Sequence, residues 1–128
     1  MSKLEQLSQK ILVTPVAQYI ASQSAPEQDR YVYAYHISIQ NNSDQTIQLL
    51  SRKWLITDGD GNTSTVEGEG VVGQQPTLKP AQEYQYQSGS ILKTPIGTME
   101  GAYIFDVDGE KLEVPIPVFR LSVPNVIN

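Results

Sequence analysis

Residues 30–40, RYVYAYHISIQ, decide the fold, because large side chains occupy every second position along this stretch. One phase holds tyrosine and isoleucine only: Tyr31, Tyr33, Tyr35, Ile37 and Ile39. The other phase is smaller or more polar and includes His36. A period of two residues is typical of a β-strand that buries one face. The stretch therefore predicts a strand lying over a hydrophobic core.

The following stretch, residues 46–57, predicts a second strand whose phase slips along its length. Ile47 and Leu49 occupy odd positions, whereas Trp54 and Ile56 occupy even ones. One extra residue near Ser51 would reconcile the two halves, which indicates a β-bulge. In this register Trp54 is expected in the core, between two sheets.

Turn signals divide the rest of the chain into short segments. Asp-Gly pairs at residues 58–61 and 108–109 predict hairpin turns. Further strands are predicted at 12–20, 63–67, 83–87, 102–107 and 112–121, with turn-rich loops at 68–80 and 88–101. Pro115 and Pro117 share one phase, which is typical of an edge strand. About seven strands, with no helix longer than two turns, predict an all-β, antiparallel, two-sheet β-sandwich.

The length of 128 residues corresponds to one domain, residues 1–128, with residues 1–10 and 122–128 expected to be flexible tails. The alternative for the N-terminal segment is a short helical arm, which the spacing of Leu4, Leu7 and Ile11 would allow. The chain is 39% hydrophobic and 18% charged, a globular composition. It has neither a membrane-spanning apolar run nor a signal-like N-terminus. The absence of cysteine excludes disulfides and cysteine chemistry. A cytoplasmic protein is the simplest interpretation.

The charge balance argues against nucleic acid as a partner. Nine Lys and Arg stand against fourteen Asp and Glu, for a formal net charge of −5. The bases are scattered, and Arg52-Lys53 is their only adjacent pair. Nucleic-acid-binding modules usually show a basic face. Neither nucleic acid nor membrane insertion is therefore expected.

The candidate functional residues form a glycine block, Gly68, Glu69, Gly70, Val71, Val72 and Gly73. The block fits the pattern G-x-G-x-x-G, which in dinucleotide-binding folds opens a helix. Here a proline follows at position 76 and disfavours a helix, and Glu69 would repel phosphate. The block stays open as a phosphate-binding or partner-binding loop, or as a tightly packed structural loop. Because Val71 and Val72 are adjacent, one of them is expected to face outward.

Two other patterns resemble chemical sites without completing them. Asp58, Asp60 and Asn62 have the spacing of a calcium-binding loop, but the required glycine is replaced by Thr63 and no helices flank the stretch. His36 is the only histidine, and no nucleophile motif accompanies it. We therefore predict no catalytic residue, no metal site and no cofactor.

Several ordered blocks of the sequence carry a family resemblance. They are residues 30–35 (RYVYAY), 48–57 (QLLSRKWLIT), 67–76 (EGEGVVGQQP), 83–89 (EYQYQSG), 94–101 (TPIGTMEG) and 116–121 (IPVFRL). Together these blocks resemble the bacterial ApaG (CorD) family from about residue 10 to residue 125, with 67–76 as the signature block. One departure is Pro80-Ala81, where family members commonly have Pro-Gly.

The resemblance implies a cytoplasmic protein with a fibronectin type III or immunoglobulin-like sandwich. It implies a genetic link to cobalt resistance and magnesium efflux, and a gene location beside RNA-methylation and dinucleoside-tetraphosphate-hydrolysis genes. Related eukaryotic domains act in protein binding, and the glycine block has been likened to a pyrophosphate-binding loop. The resemblance supplies no catalytic residue.

We therefore predict a non-enzymatic protein-interaction module with an unidentified protein partner, and a homodimer stays open. The alternative is a small-ligand protein that binds a nucleotide or pyrophosphate through Gly68–Gly73. A third hypothesis, an enzyme that acts on dinucleoside polyphosphates, is supported only by the gene-neighbour association.

Overall fold

A computed structural model describes residues 2–124, most of which lie in antiparallel β-strands. The helix is α1 (Lys3–Ser8), and the strands are β1 (Ile11–Tyr19), β2 (Tyr31–Asn41), β3 (Ile47–Asp58), β4 (Thr63–Glu69), β5 (Thr77–Leu78), β6 (Glu83–Leu92), β7 (Ile96–Val107) and β8 (Glu110–Ser122). Two single turns of 3₁₀ helix, Ala21–Gln23 and Pro26–Gln28, lie between β1 and β2. No helix among residues 2–124 has the length and apolar character needed to cross a membrane.

The strands form two sheets that face each other. One sheet has the order β1-β2-β6, and the other has the order β4-β3-β7-β8 with β5 also paired to β3. The predicted immunoglobulin-like, two-sheet antiparallel sandwich is confirmed. The two-residue strand β5 falls inside the stretch 68–80, in keeping with a structured loop that contains a few extended residues.

The period-two pattern of β2 places its large side chains in the core. Tyr33, Tyr35, Ile37 and Ile39 are all buried, whereas the alternate residues from Ala34 to Gln40 are half-buried. Residues of the opposite sheet close the core from the other side, among them Leu49 and Phe105.

The β-bulge predicted near Ser51 is confirmed. In the pairing of β3 with β7, Leu49 lies opposite Phe105 and Ser51 opposite Ile104, so one residue of β3 is extra. The resulting phase change turns Trp54 inward, where its side chain is 3% exposed. Its ring packs edge-on against Tyr35, with centroids 5.5 Å apart. The core position predicted for Trp54 is therefore confirmed.

The loop predicted at residues 88–101 is wrong, because β6 continues to Leu92 and β7 begins at Ile96. The glycines of this stretch lie inside strands where two backbones approach closely. A Cβ on Gly101 would lie 2.0 Å from the Lys53 carbonyl oxygen, and one on Gly97 would lie 2.5 Å from the Thr57 carbonyl oxygen. Glycine permits such an approach, although it is read in sequence as a turn signal.

The N-terminal segment contains a short helix, which was one of the two alternatives for residues 1–11. Ser2 caps α1, and Glu5 completes a capping box by accepting a hydrogen bond from the Ser2 backbone. Leu4 and Leu7 pack against the core. At the other end of the chain β8 includes Ser122, and residues 125–128 of the expected tail lie outside the described residues.

Candidate functional site

The glycine block spans the end of β4 and a tight turn. Gly68 and Glu69 are the last two residues of β4 and lie opposite Arg52 and Ser51 of β3. The chain then reverses over residues 71–74, which we call the Val72 turn. The Val71 N–H donates to the Gln74 carbonyl at 2.8 Å, and the Gln74 N–H donates back to the Val71 carbonyl at 3.0 Å. The block therefore forms a hairpin-like reversal instead of the strand-to-helix junction of a dinucleotide fold.

Both central residues of the Val72 turn have left-handed backbone conformations. Val72 has φ +47° and Gly73 has φ +77°. Positive φ at both central positions is the mark of a type I′ turn, which usually carries Asn, Asp or Gly there. A β-branched residue in this region is a genuine outlier. Val72 is therefore held in a conformation that its own side chain disfavours.

The two valines face opposite ways, as predicted. Val71 is fully buried in the core, whereas the Val72 side chain is 61% exposed. Val71 fixes the turn to the sandwich, and Val72 projects from its tip.

Gly70 has a structural role in positioning the turn. Its φ is +64°, and a Cβ at this position would lie 2.4 Å from the Gln74 carbonyl oxygen. Its N–H donates to the Leu50 carbonyl at 2.8 Å. Gly73 also has positive φ, but an added Cβ would meet no atom within 4 Å. Gly70 is thus required for both conformation and space, and Gly73 for conformation alone.

Arg52 of β3 holds the block from the side. Its Nη1 donates to the carbonyl oxygens of Glu69 and Gly70, both at 3.0 Å. The guanidinium group lies against Gly68, where a Cβ would be 2.9 Å from Nη1. Sequence reasoning missed this role and treated Arg52 only as part of a basic pair. The available signal was its phase, because Arg52 shares even numbering with the inward-facing Trp54.

The block is poorly suited to hold a phosphate. A phosphate cradle uses free backbone N–H groups, but those of Gly70, Val71 and Gln74 already donate within the protein. A hollow of about 360 Å³ beside the block brings Arg52 and Lys53 together with two carboxylates, Glu67 and Glu69. An incoming anion would meet these like charges. The arrangement is better suited to presenting the Val72 side chain.

A buried tyrosine pair lies in the core beside this region. The hydroxyls of Tyr86 and Tyr103 share a hydrogen bond of 2.5 Å. Burial raises the pKa of both hydroxyls well above the usual tyrosine value. Both groups therefore stay protonated at neutral pH, which suits a structural role in the core.

The other sequence candidates lie apart from the block and are occupied by structural contacts. The Nε2 atom of His36 lies 3.1 Å from the Gln85 side-chain oxygen. The carboxylate of Asp58 accepts the N–H groups of Asp60 and Asn62 at 2.9 and 3.0 Å, closing the β3–β4 turn. Desolvation, which would raise the pKa of Asp58, is outweighed by these hydrogen bonds, which lower it. Within residues 2–124 no three His, Cys, Asp or Glu residues form a group able to hold a metal ion.

Known proteins with similar sequences share this architecture. The family model of the ApaG domain matches residues 21–107. A protein ApaG from Proteus mirabilis is 50% identical over 122 residues, covering 94% of this chain and 98% of that protein. A protein ApaG from Vibrio cholerae is 55% identical over 111 residues, covering 86% and 88%. A crystal structure of a Bordetella pertussis protein designated ApaA superposes with a TM-score of 0.88 at 44% identity, covering 91% of this chain and 95% of that one.

Proposed function

This chain belongs to the ApaG family, and from that premise we propose that it is a non-enzymatic protein-interaction module that contacts its partner through the Val72 turn. The proposal assigns no catalytic residue and no cofactor to the chain. It also places the protein in the cytoplasm, in keeping with a sequence that contains no cysteine.

The main support for the proposal is the exposure and the backbone conformation of Val72. An apolar, β-branched side chain is 61% exposed at φ +47°. Such backbone conformations cost of the order of 1–3 kcal/mol and cluster at functional positions. Glycine or asparagine would form the same turn without this strain. The folding of the chain gives no reason for an exposed valine in this conformation. A direct contact with another protein does.

The competing hypothesis, a nucleotide or pyrophosphate site at Gly68–Gly73, has less support. The N–H groups of Gly70 and Val71 already donate within the protein, and Glu67 and Glu69 flank the loop. On our proposal the protein affects cobalt resistance and magnesium efflux, to which the family is linked, through a protein partner. On the same proposal the chain itself binds no metal.

Photo-crosslinking in cells tests the proposal. A benzoylphenylalanine residue is placed at Val72 and, in matched controls, at Val16 and Val118, whose exposures of 60% and 59% are close to the 61% of Val72. We expect one discrete crosslinked protein at Val72 and none at the two controls. Equal labelling at all three positions, or none at Val72, would contradict the proposal.

A thermal-shift series tests the competing hypothesis. A ligand that binds only the native state raises its stability. We expect nucleotides and inorganic pyrophosphate, with and without magnesium, to leave the unfolding temperature unchanged. A concentration-dependent rise that the Arg52→Gln variant loses, while Lys53→Gln retains it, would favour the small-ligand function.

A further inference from the structure

We propose that the free edge of β4 receives an extended, basic segment of the partner protein as an additional β-strand. This inference rests on the proposed interaction function and deepens it by naming the kind of segment that is recognised. It concerns backbone pairing along β4, next to the Val72 turn but distinct from it.

The strand β4 ends the order β4-β3-β7-β8, so only one of its sides is paired within the sheet. All of its residues except Gly68 are exposed. Unpaired edge strands attract other strands, and proteins commonly block them with proline or lysine. The edge strands β1 and β8 carry Pro15, Pro115 and Pro117, whereas β4 carries neither proline nor lysine.

The hydrogen-bond phase identifies which backbone groups of β4 face outward. The Asp58 N–H donates to the Asn62 carbonyl at 2.9 Å, and the Gly70 N–H donates to the Leu50 carbonyl at 2.8 Å. Both contacts use even-numbered residues at the two ends of β4. In an antiparallel pair, bonded and non-bonded positions alternate. The N–H and C=O groups of Thr63, Thr65 and Glu67 therefore point to the free edge.

The same phase leaves the Glu69 N–H directed outward, but its carbonyl is held by Arg52. Arg52 thus occupies the last carbonyl group of the β4 edge before the Val72 turn. The template consists of the odd-numbered positions from Thr63 to Glu67, together with the Glu69 N–H. Strand addition to an edge of this kind is an established mode of peptide recognition.

The side chains of β4 specify the chemistry of the added strand. Glu67 and Glu69 share one face of the strand and are exposed. Among residues 2–124 neither glutamate forms an ion pair, because Lys53, which lies opposite Glu67 on β3, directs its ammonium group to Glu113 at 3.5 Å. Directly opposed residues of neighbouring strands lie about 5 Å apart at Cβ. A bound segment with Lys or Arg at alternate positions would pair with both carboxylates.

The opposite face of β4 favours an apolar residue next to the base that faces Glu67. Val66 lies on this face and is 41% exposed. A side chain opposite Val66 would cover it. The recognised segment therefore alternates basic and apolar residues, as in the peptide TKVKVKT. The proline-free edge strand of the three-stranded sheet, β6, has Glu83 as its only charged residue and lacks this paired-carboxylate signal.

The test measures binding of acetylated, amidated TKVKVKT to the full chain by fluorescence anisotropy, with TEVEVET as the charge-reversed control. We expect binding of TKVKVKT alone, and an affinity loss of tenfold or more in the double variant Glu67→Gln, Glu69→Gln. The matched variant Glu110→Gln changes an exposed carboxylate at the start of β8 and should bind normally. Equal binding of both peptides, or no effect of the double variant, would overturn the proposal.

A second variant separates edge pairing from charge attraction. Thr65→Pro removes an outward N–H and leaves the pairing with β3 intact, because proline is tolerated where its nitrogen faces the free edge. We expect an unchanged urea midpoint and loss of peptide binding. Hydrogen exchange on the wild-type chain should slow at the Thr63, Thr65 and Glu67 amides when the peptide is added. Protection at β6, or at no strand, would contradict the assignment.

The outcomes distinguish this inference from the proposed function. A concentration-dependent dimer of the wild-type chain that Thr65→Pro dissociates would make a second copy the occupant of the edge and overturn the inference. If the Val72 crosslink forms but the peptide does not bind, the edge inference fails and the interaction function stands. If the Val72 crosslink is also missing, the proposed function fails with it.

Discussion

Val72 combines an exposed apolar side chain with a left-handed backbone conformation. Valine at φ +47° is strained, and asparagine tolerates this region. Val72→Asn should therefore raise the free energy of unfolding by about 1 kcal/mol, as measured by urea denaturation. Val118→Asn changes an equally exposed strand residue and should give no gain. A destabilised Val72→Asn chain would show that the side chain contributes to folding after all.

Gly70 and Gly73 both have positive φ, but only Gly70 is crowded. Gly70→Ala should lower the free energy of unfolding by more than about 1 kcal/mol, because its Cβ would meet the Gln74 carbonyl oxygen. Gly73→Ala should cost less, since open space surrounds that position. Urea midpoints of the two variants give the order directly. Equal losses would mean that backbone strain alone determines the effect.

Trp54 fills the space between the sheets, and its indole N–H is buried without a hydrogen-bond partner among the described residues. Trp54→Ala should cost about 3–5 kcal/mol, enough to unfold a marginal domain. Trp54→Phe should keep much of that stability, because it retains an aromatic ring and removes the unpaired donor. Native tryptophan fluorescence should be blue-shifted and shielded from iodide. Water-exposed emission would contradict the core position.

At the scale of elements, the β3–β4 turn depends on the ionised form of Asp58. Its hydrogen bonds from Asn62 and Asp60 lower the pKa below the usual value of 3.8. A depressed folded-state pKa gives stability that is present above the unfolded pKa and lost as pH falls through the folded value. The difference in unfolding temperature between wild type and Asp58→Asn should therefore be present at pH 6 and shrink toward pH 2. A difference that is constant with pH would contradict this role.

How well each element could be predicted depends on whether its signal is local. The alternation of β2 and the phase slip of β3 lie within single strands, so both were predictable from the sequence. The strand at 96–101 was not predictable, because Gly97 and Gly101 are needed where the backbones of Thr57 and Lys53, on another strand, approach closely. The position of α1 likewise depends on packing of Leu4 and Leu7 against the distant core.

The candidate site shows the same division between local and distant signals. The glycine block and the opposed directions of Val71 and Val72 follow from adjacency in sequence. The clamp from Arg52 to Glu69 and Gly70 joins residues of two strands, and only the fold brings them together. The positive φ of Val72, next to the fully buried Val71, likewise has no signal in the sequence, since valine rarely adopts it.

In the molecule as a whole, the Val72 turn and the free edge of β4 lie on the same side of β3. The strands β1 and β8, which carry prolines, form the other boundary. This asymmetry gives the molecule one side suited to partner contact. The Val72 turn and the β4 edge are consecutive in the chain, so one partner could engage both.

A competition experiment tests whether Val72 itself contacts the partner. Crosslinking of the partner to the benzoylphenylalanine probe at position 72 is measured in the presence of excess unlabelled Val72→Asn or Val118→Asn protein. We expect Val118→Asn to suppress the crosslink as well as wild type does, whereas Val72→Asn, although more stable, should not. Equal suppression by both variants would contradict the claim.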